Sequence, residues 1–240
     1  MRKPVHLEAT RVPSNMLIVG DPDRAAYLAE ELLSNPKLIN KKRGYYIYEG
    51  FFGDRPVGIG VHYVGGPTTA VFVEELAMIG ARRIVRLGTA GSLCENVKLG
   101  DIVVPPSSGH ATIGGLLKQY APQGIPPLSH TPSLVLRLYE AIKSKGLNPV
   151  VSPVVSSDAF YAEDEGFASY WCSRNVVAVE MECSTLAYIG LARNLETACA
   201  LIISDELLHL EKGHLDSLAL KEEFVKAASA VLEVMTGLEE

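Results

Sequence analysis

Short apolar runs alternate with segments at helical spacing along most of the chain. Residues 16–19 form the first run, and Gly20-Asp21-Pro22-Asp23-Arg24 closes it. This reads as strand, turn and helix, with Asp21 as N-cap and Pro22 in the first helical turn. The helix continues through Ala25, Leu28, Leu32 and Leu33. Runs at 45–52 and 56–63 are aromatic or β-rich and flank Gly53-Asp54, which predicts antiparallel strands. Gly65-Gly66-Pro67 opens a predicted helix over 68–79. Residues 83–87 predict a strand that runs into a small-residue turn, Gly88-Thr89-Ala90-Gly91-Ser92.

Beyond a turn and buried strand at 99–105, residues 106–131 show no periodicity and read as a long loop. A helix over 134–145 is closed by Gly146, and 150–155 is an apolar strand. Glu163-Asp164-Glu165 reads as the solvated start of a helix. The strand at 176–179 ends in Glu180-Met181-Glu182, and a helix follows through Leu186, Ile189 and Leu191. The strand at 197–203 ends in Ser204-Asp205-Glu206; 207–215 reads as a loop and 218–235 as an amphipathic helix. Strands alternating with helices predict a single α/β domain over residues 1–240, with a mixed, mostly parallel central sheet flanked by helices.

Composition narrows the function. A chain of 240 residues, 48% hydrophobic, suits one domain with a substantial core. A net charge of −6 argues against a nucleic-acid surface. No apolar run reaches the roughly 18 residues of a membrane span, and the N-terminus lacks a signal-peptide core, so a cytoplasmic location is expected. The four cysteines form no C-x-x-C pair, so zinc is not expected. Cys183 and Cys199 read as buried thiols and Cys172 as nearer the surface. Disulfides involving these or Cys94 would require an unusual cytosol, such as that of a hyperthermophile. Gly58-x-Gly60 lacks the third glycine of a dinucleotide fingerprint. Walker, zincin and serine-elbow motifs are also missing.

The candidate chemistry lies at strand ends, where open α/β sheets gather ligands. Arg86, two residues before Gly88, and the hydroxyl of Thr89 suit a tetrahedral anion such as phosphate; a salt-bridged strand exit is the plainer reading. Arg24, in the first turn of a helix, fits the same anion or an ion pair with Asp21 or a nearby Glu. Glu180 and Glu182 can accept from a sugar diol with Met181 as an apolar floor, or serve as favourable acids at a helix N-terminus. Asp205 can donate a proton from a strand mouth, or cap a turn.

Taken together, Gly20-Asp21-Pro22-x-Arg24, Arg43-Gly44, Arg86-x-Gly88-Thr89-x-Gly91, Val179-Glu180-Met181-Glu182 and Ser204-Asp205 resemble the nucleoside phosphorylase-I family in order and spacing. The segment Ser157-Asp158-Ala159-Phe160-Tyr161 and the acidic residues after it resemble archaeal 5′-methylthioadenosine/purine nucleoside phosphorylases. The resemblance implies reversible phosphorolysis of a nucleoside to free base and pentose 1-phosphate. It implies no metal or organic cofactor, with phosphate as co-substrate. It implies that Gly20, Arg24, Arg86, Gly88 and Thr89 hold phosphate, that Glu182 binds the sugar diol beside Glu180 and Met181, and that Phe160 stacks near the base. Asp205, after Ser204, would protonate purine N7. Arg43, a further phosphate ligand, and His6, near the sugar 5′ position, would come from a neighbouring identical subunit, so a homohexamer or other homo-oligomer is implied, with neither nucleic acid nor membrane as partner.

Two departures stand out. Purine-specific bacterial members carry an arginine about a dozen residues after the acid; residues 215–220 here contain none. Uridine phosphorylases read the pyrimidine with a Gln and an Arg, where this chain has Asp164 and Gly166. Purine nucleosides are therefore the expected substrates, with 5′-methylthioadenosine a candidate. The alternatives are a uridine phosphorylase, a non-catalytic nucleoside or phosphate sensor, and a structural oligomer with a decayed site.

Overall fold

In the computed structural model, residues 3–112, 115–212, 214–215 and 218–238 are described. The chain enters the sheet with β1, Asn15–Val19, and continues into α1, Pro22–Leu32. Asp21 caps α1 by accepting from the N–H groups of Asp23 at 2.8 Å and Arg24 at 3.3 Å. The strands β2 (Ser34–Asn40), β3 (Ile47–Phe52) and β4 (Arg55–Val61) pair antiparallel in succession. Next come α2 (Gly66–Met78), β5 (Arg83–Ser92), β6 (Ile102–Val103), β7 (Ser108–His110), α3 (Leu116–Tyr120) and α4 (Pro132–Ser144). They are followed by β8 (Pro149–Val150), β9 (Val154–Ser156), α5 (Glu165–Cys172), β10 (Ala178–Glu180), α6 (Cys183–Arg193), β11 (Glu196–Glu206) and α7 (Lys221–Thr236). Among the described residues, no helix is long and apolar enough to cross a membrane.

The sheet runs β2-β3-β4-β1-β5-β10-β9-β7, with β11 also beside β5 and carrying β6 and then β8. Central strands are apolar on both faces, as a sheet covered on both sides requires. Met16 and Ile18 of β1 enter one core with Phe72 and Leu76 of α2 and Leu186 of α6. Leu17 and Val19 enter the other with Leu28 of α1, Leu138 of α4 and Phe224 of α7.

β5 is the forked strand. Its ladder with β1 runs from Asn15–Arg83 to Ile18–Arg86, whereas β10 pairs with Gly91 and Ser92. β11 follows the opposite edge from Arg83 to Ser92. Between Arg86 and Gly91, the first edge is left to whatever occupies the gap.

The polar pattern misleads in five places. Residues 88–92 continue the strand instead of turning. The run at 150–155 splits into β8 and β9, which pair with β6 and β7; Pro153 falls in the break and cannot donate to a ladder. The stretch 106–131 contains β7 and α3, and 207–215 contains a 3₁₀ segment, Leu207–Lys212. β2 is an exposed edge strand with Pro36 inside it, so no apolar alternation announces it.

Cys94 and Cys172 form a disulfide across 78 residues of sequence, with their Cα atoms 5.4 Å apart. It ties the segment after β5 to the end of α5. The double variant C94S/C172S should lose about 2–5 kcal/mol of stability. Guanidinium titration without reductant measures this; an unchanged midpoint would show that the bond contributes nothing.

Candidate functional site

A cleft of about 650 Å³ opens at the fork, within the usual range for small-molecule sites. It is lined by the turn after β1, the open part of β5, the end of β10, and Ser204 and Asp205 of β11. Gly20, Arg24, Arg86, Gly88, Thr89, Phe160, Glu180, Met181, Glu182, Ser204 and Asp205 all line this one cavity. His6 and Arg43 do not.

The cationic end is built from two buried arginines. The Arg24 guanidinium lies 3.7 Å from the ring centre of Phe224, so α7 supports it by a cation–π contact. Burial pushes its pKa down, against the pull of Asp21, and Arg86 adds to the depression. Arg86 is buried too, with Nη1 3.5 Å from Glu180 Oε2 and Nη2 bonded to Glu182 Oε2. Burial opposes its charge, but the Glu182 carboxylate, with Glu180 beside it, more than compensates and holds it protonated. Its Nε–H finds no partner among the described residues. A Cβ on Gly88 would fall 2.4–2.7 Å from the guanidinium atoms, so only glycine lets Arg86 fold across β5 here.

The carboxylates divide the other work. Glu180 caps α6: Oε2 accepts from the N–H groups of Glu182 and Cys183, both at 2.8 Å, while Oε1 accepts from Ser156. Glu182 accepts from the Gly65 N–H at 2.5 Å as well as from Arg86. Asp205 follows a register shift in the β5–β11 ladder between Ile203 and Asp205, a bulge that re-aims a side chain. Ser204 Oγ donates to its Oδ1 at 2.8 Å, and His214 Nδ1 lies 3.4 Å from the same oxygen. A Cβ on Gly91 would come within 2.8 Å of Asp205 Oδ2.

Glu163, Tyr63 and His214 also line the cleft, and their sequence context did not mark them as site residues. Burial, and the charges of Asp205 and Glu180, raise the Glu163 carboxyl, with a Ser157 hydrogen bond opposing; among the described residues its buried Oε1 has no hydrogen-bond partner. No local pattern marked it: the 3₁₀ turn Phe160–Ala162 ends just before Glu163, whose backbone is extended. Tyr63 adopts φ 61° and its hydroxyl donates to Gly44 O at 2.8 Å, joining the cleft to the Arg43 turn. His214 meets Asp205 through an isolated β-bridge that no local pattern foretells.

His6 is held outside the cleft by Glu75. That carboxylate accepts from the N–H groups of Val5, His6 and Leu7 at 2.8–3.0 Å and contacts His6 Nδ1 at 2.8 Å. His6 and Tyr45 meet edge to face at 6.0 Å. Arg43 sits nearby in a short 3₁₀ turn at φ 55°.

Two buried guanidinium groups, one of them paired with Glu180 and Glu182, share a cleft at the fork of a mixed sheet with Asp205 and Glu163, an arrangement in an α/β protein that suits an anion beside a hydroxylated, proton-accepting ligand. Similarity to known proteins agrees. Residues 15–238 match the sequence profile of the phosphorylase superfamily, and the chain belongs to that superfamily. It is 30% identical over 207 residues to a DeoD-type purine nucleoside phosphorylase of Thermoanaerobacter sp. (strain X514), covering 85% of this chain and 88% of that one. It is also 30% identical over 184 residues to a uridine phosphorylase of Haemophilus influenzae, covering 71% of each. The crystal structure of purine nucleoside phosphorylase from Toxoplasma gondii in complex with immucillin-H superposes with a TM-score of 0.85 at 27% identity, covering 99% of this chain and 97% of that one.

The N-terminal clamp generates a pH prediction. Burial alone would raise the Glu75 carboxyl, but the hydrogen bonds from Val5, His6 and Leu7 outweigh it and hold its pKa below 4.5. The clamp's stabilisation is therefore complete above the unfolded value near 4.5 and fades as pH falls through the lower folded value. Amide exchange at residues 5–7 should accelerate below that point, and in Glu75→Gln already at neutral pH. Equal protection in the variant would mean the clamp is not electrostatic.

Proposed function

We propose that this protein is a purine nucleoside phosphorylase that converts nucleoside and phosphate to free base and pentose 1-phosphate, with 5′-methylthioadenosine among the candidate substrates. The observation that carries the reading is that Arg24 and Arg86 share a cavity with Asp205. Phosphate takes the arginine end, with Gly20, Gly88 and Thr89 around it. Arriving there, it competes with Glu182 for Arg86 and frees that carboxylate to accept from the sugar diol above Met181. The base lies between Phe160 and Asp205. As the glycosidic bond breaks, positive charge grows on the sugar beside phosphate and negative charge on the base. A proton from Asp205 to N7 neutralises the latter, and fixed charges perform most of the catalysis. Ser204 and His214 orient Asp205. Glu163 reads the edge of the base.

The uridine alternative is disfavoured by Asp164. Its side chain accepts the Phe167 N–H at 2.7 Å as the N-cap of α5, so it is occupied where a pyrimidine-reading residue is needed. No cofactor enters this scheme; phosphate is the co-substrate. In this reading residues 1–240 act as one unit in the cytoplasm, in a homohexamer or other homo-oligomer where each subunit lends His6 and Arg43 to its neighbour. Support comes from their position outside their own cleft and from exposed apolar side chains of Val5, Val64, Phe160 and Tyr161.

Asp205→Asn should lose about 10²–10⁴-fold in purine turnover with phosphate binding retained, and His214→Ala a smaller factor. Calorimetric phosphate titration beside steady-state rates measures both; turnover that persists without phosphate would exclude phosphorolysis. Glu163→Gln should change the adenosine-to-inosine ratio of kcat/KM several-fold, and an unchanged ratio removes Glu163 from base reading. Arg43→Ala should raise the phosphate KM at unaltered oligomeric state, and specific activity should fall on dilution as the assembly dissociates. A fully active monomer would refute the shared site.

A further inference from the structure

In contact with Arg86, but not among the residues that line the cleft, lies a group that the proposed reaction does not use. Cys183 is the first residue of α6, immediately after Glu182, and Cys199 lies on β11 in register with Arg86. Both are fully buried. Their sulfurs are 2.8 Å apart, closer than unbonded heavy atoms pack, at ~3.5–4.0 Å. His130 completes the group, with its ligand atom and both sulfurs within 4.8 Å of one another. Its Nδ1 lies 3.2 Å from Thr197 Oγ1, and among the described residues its buried Nε2 has no nitrogen or oxygen partner, which leaves it to the neighbouring sulfurs.

Two chemistries suit two thiols and an imidazole: a metal or a disulfide. Distance decides between them. Two thiolates on one tetrahedral zinc stand about 3.8 Å apart, given zinc–sulfur bonds of about 2.3 Å. The observed pair would have to open by about 1 Å to accept zinc, but close by only about 0.8 Å to reach the ~2.05 Å of a disulfide. Charge points the same way. The Arg86 Nη1 lies 3.9 Å from Cys183 Sγ and repels a divalent cation.

We propose that Cys183 and Cys199 are an oxidisable pair that forms a second disulfide, fastening the start of α6 to β11 beside Arg86. The surroundings assign the order of events. Burial disfavours a thiolate at Cys199, but the hydrogen bond from Cys183 and the influence of His130 and Arg86 outweigh it and bring Cys199 to about 6. Burial and the neighbouring Cys199 push Cys183 up. Cys199 is therefore the attacking sulfur, its proton held by His130. With hydrogen peroxide as oxidant, the Cys199 thiolate attacks one oxygen and the O–O bond breaks. A sulfenic acid forms, and the leaving hydroxide becomes water with the proton from His130. The Cys183 sulfur then attacks the sulfenic sulfur, the S–S bond forms, and the departing hydroxide takes the Cys183 proton as a second water. Two thiols and one peroxide give one disulfide and two waters, each sulfur losing one electron.

The test is peptide mapping without reduction. One sample of folded protein is exposed to dilute hydrogen peroxide. A second is refolded from guanidinium in glutathione disulfide, so that the thiols meet an oxidant before burial. Both are denatured in iodoacetamide, digested and weighed. The expected result is a linked peptide pair containing Cys183 and Cys199, lighter by two hydrogens than the separate thiol peptides and distinct from the Cys94–Cys172 pair. Its appearance in either sample supports the proposal. Two alkylated thiols in both samples overturn it, as does a stoichiometric zinc or copper, by elemental analysis, that shields the thiols until removed. These readouts do not depend on turnover, so they stand apart from the functional reading.

Discussion

A positive charge buried at the fork of the sheet organises this protein. Arg86 is 4% exposed and lies on the strand that three others share. An isolated guanidinium there would cost several kcal/mol in lost hydration. Glu182 and Glu180 offset that cost, and each brings structure with it. Glu180 simultaneously satisfies the first N–H groups of α6, and Glu182 reaches across to the N–H of Gly65 at the start of α2. The arginine therefore binds β5, β10 and two helix starts into one unit.

The fork itself follows from sheet geometry. β1 runs parallel to β5, and β10 runs antiparallel to it, so the two cannot occupy one continuous ladder. The gap between them leaves strand edge available to a ligand, a polar requirement that a closed sheet would not have. Close approaches then set the residue types. Gly88 makes room for the guanidinium and Gly91 for the carboxyl of Asp205. The register shift at Ser204 and the left-handed backbone of Tyr63 mark the same place. Irregular backbone gathering at one cavity is the usual mark of a site whose geometry is stabilised by the rest of the fold.

Covalent and ionic links reinforce the same half of the molecule. The Cys94–Cys172 disulfide holds the segment after β5 against α5, which begins just past Phe160 and Glu163. The Cys183–Cys199 pair stands beside Glu182 and Arg86. On the other side of the sheet, Phe224 supports Arg24, so the C-terminal helix contributes to the cleft without lining it.

Much of this was legible from residue order. Two-sided apolar strands, the Asp21-Pro22 helix start and the glycines around Arg86 are local features, and local features survive in a linear pattern. An α/β domain follows from them alone; that Arg86, Gly88 and Thr89 sit within β5, and Ser204 and Asp205 within β11, does not. Other features depend on distance in space between residues far apart in the chain. The two readings of Glu180 could not be separated until its carboxylate met the N–H groups of α6. Glu163 looked solvated because its neighbours are acidic, yet in the fold it lines the cleft. β2 had no apolar face to reveal it, and the four cysteines carried no pairing information. The sequence by itself determined the alternation of elements and the stock of charged groups, because hydrophobic periodicity and capping act over a few residues. Only the tertiary structure decided which of those groups share a cavity, because the partners of a buried charge are chosen by sheet register and helix packing.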